Sequence, residues 1–546
     1  MQADKRKRIA FYLFYSGLVL LVAALPLSKF VMSIAQFLIA GGWLIDGDTG
    51  AKFKKFFNSK IALVLTSVYL MHLLGLLWTT DFEYAFKDIR IKLPLLILPL
   101  LLSSAPKITK SQFDGILLSL IGGVTISSLI SLFIFLGVID RPVNDIRDIS
   151  IFISHIRLSL LSCLSIVAIG WLNYNHRNTP QSKYYLLLIP VLLWLLYFIV
   201  LLESLTGIAI MLILLIVIGN WLVFSVIGAA LSLSKGQRST VTGQRLAVKV
   251  LAVVISIAIP LCCYFYVKSI NETLVDEKPV DVASLEKLTP SGNKYDHYPE
   301  QLSFENGHQV YLYISETELE QQWNKRSKIN FLGKDLRKQD LKYTLLRFLS
   351  SKGLRKDSAG VWALSETEIH SIEKGITNVD YQKEANIHAR VHQVLWEFQH
   401  YNKTGDPSGH SVAQRMEFWK ASVEIIKHHL FFGVGTGDVP KAFHDQYNSM
   451  NSKLTKEWRL RAHNQYLSIG VAFGCVGLLW FMFSLIYPLV LQVRKTDILF
   501  VSFTIISIIS MLTEDTIETQ AGVTFFALFT SLFLFINPNN STTGVN

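Results

Sequence analysis

His463 and Asn464 stand where a long polar segment gives way to an apolar one, and Gly470, Gly474 and Gly477 follow. These glycines fall at i, i+4 and i+7, a spacing that predicts one shared helix face. His463 lies about two turns earlier on nearly the same face. A stripe of small residues lets a neighbouring backbone approach closely inside a membrane bundle. The pattern therefore predicts an imidazole aimed at a bundle interior, at the membrane's edge. An imidazole titrates near neutral pH, which suits it to general-base work. Upstream, Val412, Met416, Trp419, Val423, Ile426 and Leu430 repeat at alternating four and three. That predicts an amphipathic helix with Glu417, Lys420, Glu424 and Lys427 on its wetter side, and Arg415 flanks the apolar stripe. Phe432-Gly433-Val434-Gly435-Thr436-Gly437-Asp438 follows directly. Its glycines permit a tight turn, and the N–H groups of Gly435 and Gly437 are expected to face an anion. The run lacks the Lys-Ser/Thr of a phosphate loop.

These residues need elements to hold them. The chain has 546 residues, of which 51% are hydrophobic and 17% charged. Many apolar runs approach the roughly 20 residues needed to cross a bilayer. About twelve spans are expected, starting near residues 9, 29, 60, 91, 113, 152, 184, 206, 248, 465, 497 and 520. The first follows Lys5-Arg6-Lys7-Arg8 and reads as an uncleaved helix, because so many spans come after it. The fold expected is an all-α polytopic membrane protein with a large extracytoplasmic α/β insertion between spans nine and ten. Residues 1–270 hold the first nine spans, 271–410 the insertion, 411–462 an outer catalytic-loop segment, and 463–546 the last three spans and a short inner tail.

Basic loops set the orientation. Lys52, Lys54, Lys55, Lys60, Lys107, Lys110, Arg177, Lys183, Lys235, Arg238, Arg245, Lys249, Arg494 and Lys495 fall in the predicted inner loops. The outer loops hold acids, among them Asp81, Asp140, Asp145, Glu203, Glu514, Asp515 and Glu518. The net charge of +11 is thus largely topological, and no nucleic-acid motif appears. Cys163, Cys262, Cys263 and Cys475 all fall in apolar spans, where thiols are usually buried core residues rather than a disulfide or zinc framework. Within the insertion, Val310–Ile314 reads as a strand. A helix over 340–352 ends at Gly353, and Ser365-Glu366-Thr367-Glu368 is a capping box whose helix ends at Gly375. A helix over 381–402 carries Ile387, Val391, Leu395 and Phe398 on one face. His388 and His392 have metal spacing there, but no third ligand is evident and no metal is expected.

Together these pieces resemble the O-antigen ligase and O-antigen polymerase superfamily of bacterial envelope glycosyltransferases. The ligase signature is His, then Asn, Ser or Gln, then nine residues, then Gly-x-x-Gly, met here by His463, Asn464, Gly474 and Gly477. The upstream pattern, Arg, an aromatic four later and a Gly-Val-Gly-x-Gly turn, is met by Arg415, Trp419 and Gly433–Gly437. One departure stands out. Many members carry Ser-Arg-x-Gly where this chain has Ser204-Leu205-Thr206-Gly207. Arg157, in Ser154-His155-Ile156-Arg157, is the candidate replacement.

The resemblance implies transfer of a glycan from undecaprenyl diphosphate to an acceptor hydroxyl, a sugar of the lipid A core, on the periplasmic face of the inner membrane. It implies no cofactor. In that chemistry His463 would be the base and Arg415 and Arg157 would hold the diphosphate, with displacement inverting the anomeric carbon. Arg459, Arg461, Asn464, Gly435, Gly437 and Glu514 are the further substrate-binding candidates. Each has a plainer reading: a carbonyl-bonded interfacial His463, a surface ion pair for Arg415, snorkelling for Arg157, a basic helix flank for Arg459 and Arg461, a helix cap for Asn464 and a solvated acidic turn for Glu514. Polymerase and protein O-glycosylation activities differ only in acceptor. A transporter would need charges near the bilayer midplane and related halves, and neither pattern is seen.

Overall fold

The computed structural model describes residues 2–143, 145–231, 238–274, 282–382, 386–407, 410–493 and 497–538. Lys235, Arg494 and Lys495 of the expected inner loops, and the tail from 539, lie outside the described residues. The fold is mostly helical. Among the described residues, eight helices are long and apolar enough to cross a bilayer: Asp4–Ala24, Lys29–Asp46, Lys60–Trp78, Lys110–Phe135, His155–His176, Ser182–Leu201, Val250–Glu272 and Gln465–Leu491. Three more apolar helices are shorter: Leu205–Trp221, Ile498–Ser510 and Gln520–Ile536. The run expected to start near 91 is divided. Phe82–Lys92 forms one helix and Pro94–Ser103 another, about 15 Å long and half a bilayer core. Each of the twelve expected runs thus falls on a helix, but eight meet the length of a span.

Exposure identifies the solvent these helices need. Val250–Glu272 is strongly apolar, yet only 6% of it is buried. Val253, Val254, Ile257, Leu261 and Phe265 stand on its open surface. Such a surface is unfavourable in water and suits hydrocarbon, where the helix satisfies its own backbone. Cys262 is exposed on this helix, so the expectation of buried thiols fits Cys163 but not Cys262; all four cysteines are free.

The bundle has one large core, and the insertion has a second, built on Leu319, Trp323, Phe331, Leu345, Leu349 and Ile369. The insertion departs from the α/β expectation. Its strands are a two-residue hairpin, Phe304–Glu305 against His308–Gln309, antiparallel with Phe304 opposite Gln309. Val310–Ile314 does not extend because Tyr313 turns to φ +56°, and Ile314 makes only single bridges to Asp296 and Lys356. The helices do form where the sequence signals them. Leu341–Ser351 is followed by Gly353 at φ +68°, and Ser365 caps Glu366–Glu373 in a reciprocal box with Glu368.

Two helix faces differ from the apolar stripes. Ile387–Thr404 buries Ala389, His392, Trp396 and Tyr401 instead of the Ile387–Val391–Leu395–Phe398 face. Trp396 decides this: its indole donates to Phe304 O at 2.7 Å and Arg347 lies 3.8 Å over its ring. Ser411–His428 buries Ala413, Glu417, Phe418, Ala421 and Ile425, because small residues allow the closest approach to its neighbours. Its Trp419 and Val423, and Leu430 just beyond its end, are left exposed. Glu417, expected on the wet side, is buried and accepts from Tyr401 and from Ser452.

Candidate active site at the end of the bundle

The glycine spacing after His463 does not make a smooth helix face. Within Gln465–Val493, Gly474 adopts φ +64°, ψ −164°, and the helix breaks there. The break frees backbone groups that pair with the glycine turn. Val434 and Gly435 N–H donate to Val471 and Ala472 carbonyls, both at 2.9 Å, and Cys475 N–H donates to Leu430 O at 2.7 Å. A Cβ on Gly433 would lie 2.3 Å from Phe473 N, and one on Gly474 2.4 Å from the Phe431 carbonyl carbon. Only glycine permits a contact this close, at a left-handed φ. The rest of the turn is also engaged. Thr436 Oγ1 donates to His72 O at 2.7 Å and Gly437 N–H to Thr79 Oγ1 at 2.8 Å. Gly435 and Gly437, expected to offer N–H groups to an anion, have them bonded within the protein. The turn joins three helices.

That seam fixes the chain entering the break. His463 takes φ +46°, a left-handed conformation unusual for a residue with a Cβ. Its N–H donates to Asp515 Oδ2 at 3.1 Å, and Ser468 Oγ donates to Asp515 Oδ1 at 2.7 Å. Trp419, four residues after Arg415, donates its indole N–H to Ala462 O at 3.0 Å. Phe418 lies beside the His463 ring, centroids 5.7 Å apart. The Arg415 helix therefore grips the His463 backbone and ring directly. Asn464 caps the following helix: its Oδ1 accepts from Leu467 N–H and its Nδ2 donates to Leu512 O, both at 3.1 Å.

Glu514 draws in the two arginines. Arg157 Nη2 and Arg415 Nη2 each lie 3.8 Å from one of its carboxylate oxygens. That is an ion-pair distance but not a hydrogen bond. Among the described residues, neither guanidinium makes a side-chain hydrogen bond, so its donors stay open. Ser159 and Ser204 hydroxyls meet at 2.8 Å, and Thr206 Oγ1 lies 3.3 Å from Thr513 Oγ1. These contacts bring the start of the Leu205–Leu231 helix, where the expected arginine is Leu205, alongside Arg157 and Glu514. A small apolar crevice of about 10 Å³ is lined by Leu25, Leu160, Leu161 and Phe525 together with Arg157 and Glu514.

Arg459 and Arg461 separate. Arg459 is tied to Asn448 and to Leu454 O, a loop-bracing role. Arg461 enters a buried network that spacing alone did not reveal. Its Nη1 and Lys92 Nζ both donate to Glu518 Oε2 at 2.8 Å, and Lys92 also reaches Asp88 at 2.6 Å. Gln465 closes it, donating to Glu518 Oε1 at 3.1 Å and accepting from Ile517 N–H at 2.8 Å. Burial pushes the Glu518 carboxyl up, but Lys92 and Arg461 outweigh it and hold it well below the ordinary range. Asp515 goes the other way, raised by burial and by Glu518. The one available signal for Lys92 was its i, i+4 pairing with Asp88.

His392 bonds Tyr381 Oη at 2.8 Å, while His388 is exposed. Among the described residues, no group of three or more metal-ligating side chains forms. The site thus offers an imidazole on a fixed backbone, two guanidiniums with open donors and an apolar crevice beside them. Residues 374–482 match the family model described as O-antigen ligase. The match takes in Arg415, the glycine turn, His463 and Gly477, and begins inside the segment assigned to the insertion. No curated protein matches the chain.

Proposed function

We propose that this chain, whose residues 374–482 match the O-antigen ligase family model, moves a glycan from undecaprenyl diphosphate to a hydroxyl of the lipid A core. Multiple apolar helices make it a multi-pass membrane protein of ligase or polymerase type. The reading places it in the bacterial inner membrane with its site on the periplasmic face. The observation that carries it is the convergence of Arg157 and Arg415 on Glu514, with donors open, beside the seam that holds His463.

In this reading the diphosphate lies against the two guanidiniums and displaces Glu514 from them. The acceptor oxygen attacks the anomeric carbon as the bond to the diphosphate oxygen breaks, and the configuration inverts. The hydroxyl proton passes to His463, and the departing undecaprenyl diphosphate carries the electron pair. Its growing negative charge is what Arg157 and Arg415 stabilise most in the transition state. Asp515 fixes the His463 backbone, and Asn464 caps the helix behind it. Arg157 takes the part of the arginine that Leu205 cannot supply.

The test uses purified protein in lipid with an undecaprenyl-diphosphate glycan, with or without lipid A core. Transfer to the core that is lost in His463→Asn supports the reading. Lengthening of the lipid-linked glycan without core would make it a polymerase. Undiminished transfer by the variant would remove His463 as base.

A further inference from the structure

A second feature lies outside these residues. A cleft of about 590 Å³, open to solvent, separates the insertion from the outer loop at residues 137–143 and 145–147. It has the size of a ligand pocket, roughly 300–1,000 Å³. Its lining has six cations, Arg141, Arg147, Arg337, Arg347, Lys374 and Arg390, against three carboxylates, Asp145, Glu203 and Glu397. The carboxylates do not neutralise them. Asp145 takes two hydrogen bonds from Arg147, both at 2.7 Å, and lies 3.7 Å from Arg337. Glu397 accepts from Val412 N–H. Arg347 pairs outside the lining, with Glu305 at 2.7 Å. Among the described residues, Arg141, Lys374 and Arg390 make no ion pair within 4 Å. Arg390, half-buried, has only Gln393 as a side-chain partner, at 2.7 Å.

The cleft adjoins the Arg415 site. His410, which caps the Arg415 helix, lines it, and Glu397 of its wall bonds that helix at Val412. His155, at the start of the Arg157 helix, feels the charges of Arg147, Asp145 and Arg390 of the cleft and of Arg415.

We infer that this cleft binds an anionic saccharide, the phosphate- or carboxylate-bearing sugars of the acceptor, and delivers the acceptor hydroxyl toward Arg415. The binding rests on the cleft itself; only its assignment to the acceptor rests on the transfer reading. Surplus guanidinium on an open polar wall recognises phosphate or carboxylate by charge-assisted hydrogen bonds. At about 590 Å³ the cleft has room for a short saccharide.

The full-length protein in lipid nanodiscs is titrated with a phosphorylated oligosaccharide and with its phosphatase-treated counterpart. The charged form should bind at least about tenfold more tightly, a difference of about 1.4 kcal/mol, and Arg390→Gln should abolish that preference. Arg141→Gln, at an exposed position, and Lys374→Gln should each reduce it several-fold, so a poorly folded Arg390 variant does not end the test. Equal binding of the two sugars, or no binding of either, would overturn the site. So would a preference that survives all three substitutions. In transfer assays the same variants should raise the acceptor KM and leave the donor KM unchanged. A raised donor KM instead would overturn the acceptor assignment. Because titration needs no turnover, an inactive enzyme that still prefers the charged sugar would fail the proposed function while leaving the site standing.

Discussion

The shared carboxylate between Arg157 and Arg415 makes a quantitative prediction. At 3.8 Å and an effective dielectric of about 20, each pair has a nominal attraction of about 4 kcal/mol. Both arginines are partly exposed, 21% and 30%, so solvent screening leaves only a fraction of that in the resting protein. Removing either arginine should therefore cost little stability. In the proposed transfer the transition state is different, because the leaving diphosphate would bring its charge to both guanidiniums at once. Loss of one such donor costs about 2.7–4 kcal/mol, or 10²- to 10³-fold in turnover. Arg157→Gln and Arg415→Gln should each fall in that range. The double variant should fall short of the product of the two, with a coupling of about 0.5–3 kcal/mol, because both donors act on one group. Single-turnover transfer in proteoliposomes at saturating acceptor measures this, with melting temperature as the folding control. Turnover within about threefold of the parent in both single variants would refute a role on the leaving group. Strictly multiplicative losses would refute a shared anion.

Three further outcomes follow from the site. His463→Asn should keep the fold, because Asn tolerates the left-handed φ of +46°, while transfer drops by about 10²- to 10⁴-fold; retained transfer at matched stability would reject the imidazole as base. Gly474→Ala should lower the melting temperature by the equivalent of more than about 2 kcal/mol, from backbone strain and the clash with Phe431. Gly470→Ala meets only the flexible end of Ile426 and should be far milder, so equal losses would discredit the seam. Glu518→Gln should destabilise the protein at neutral pH. Its native carboxyl is depressed, so its contribution is complete above about pH 4.3, the unfolded value, and is lost as pH falls toward the folded one. The variant should therefore show a flatter acid limb of melting temperature against pH, and an unchanged limb would contradict the network.

What the sequence made legible was chiefly local. The capping box at Ser365, the helix ends at Gly353 and Gly375 and the apolar runs depend on neighbouring residues, and each appears in the fold. The pairing of Arg157, Arg415 and Glu514 was legible only as membership of one membrane face. Three misread features share a cause. The apolar stripe on Ser411–His428 is not its packed face, because Ala413 and Ala421 turn inward, where small side chains let neighbouring elements approach. Glycine spacing suggested a smooth stripe, where Gly474 instead breaks the helix to meet the turn at Gly433. The N–H groups of Gly435 and Gly437 are taken by carbonyl and hydroxyl partners far away in sequence. Lys92 went unnoticed because its partner Glu518 lies 426 positions later.

Those long separations bear on the order in which the site comes into being. Asp515 holds the His463 backbone, and its neighbour Glu514 lies between Arg157 and Arg415. All the other pieces precede this pair in the chain. A polypeptide emerging from its N-terminus therefore places every cation in the membrane before the carboxylates that set their geometry. Until the loop between Ile498–Ser510 and Gln520–Ser531 has docked, the His463 N–H lacks its carboxylate and the two guanidiniums have no common partner. Competence then arrives in one late step of assembly, and a chain stalled short of it would sit in the bilayer unable to act on the lipid-linked sugar around it.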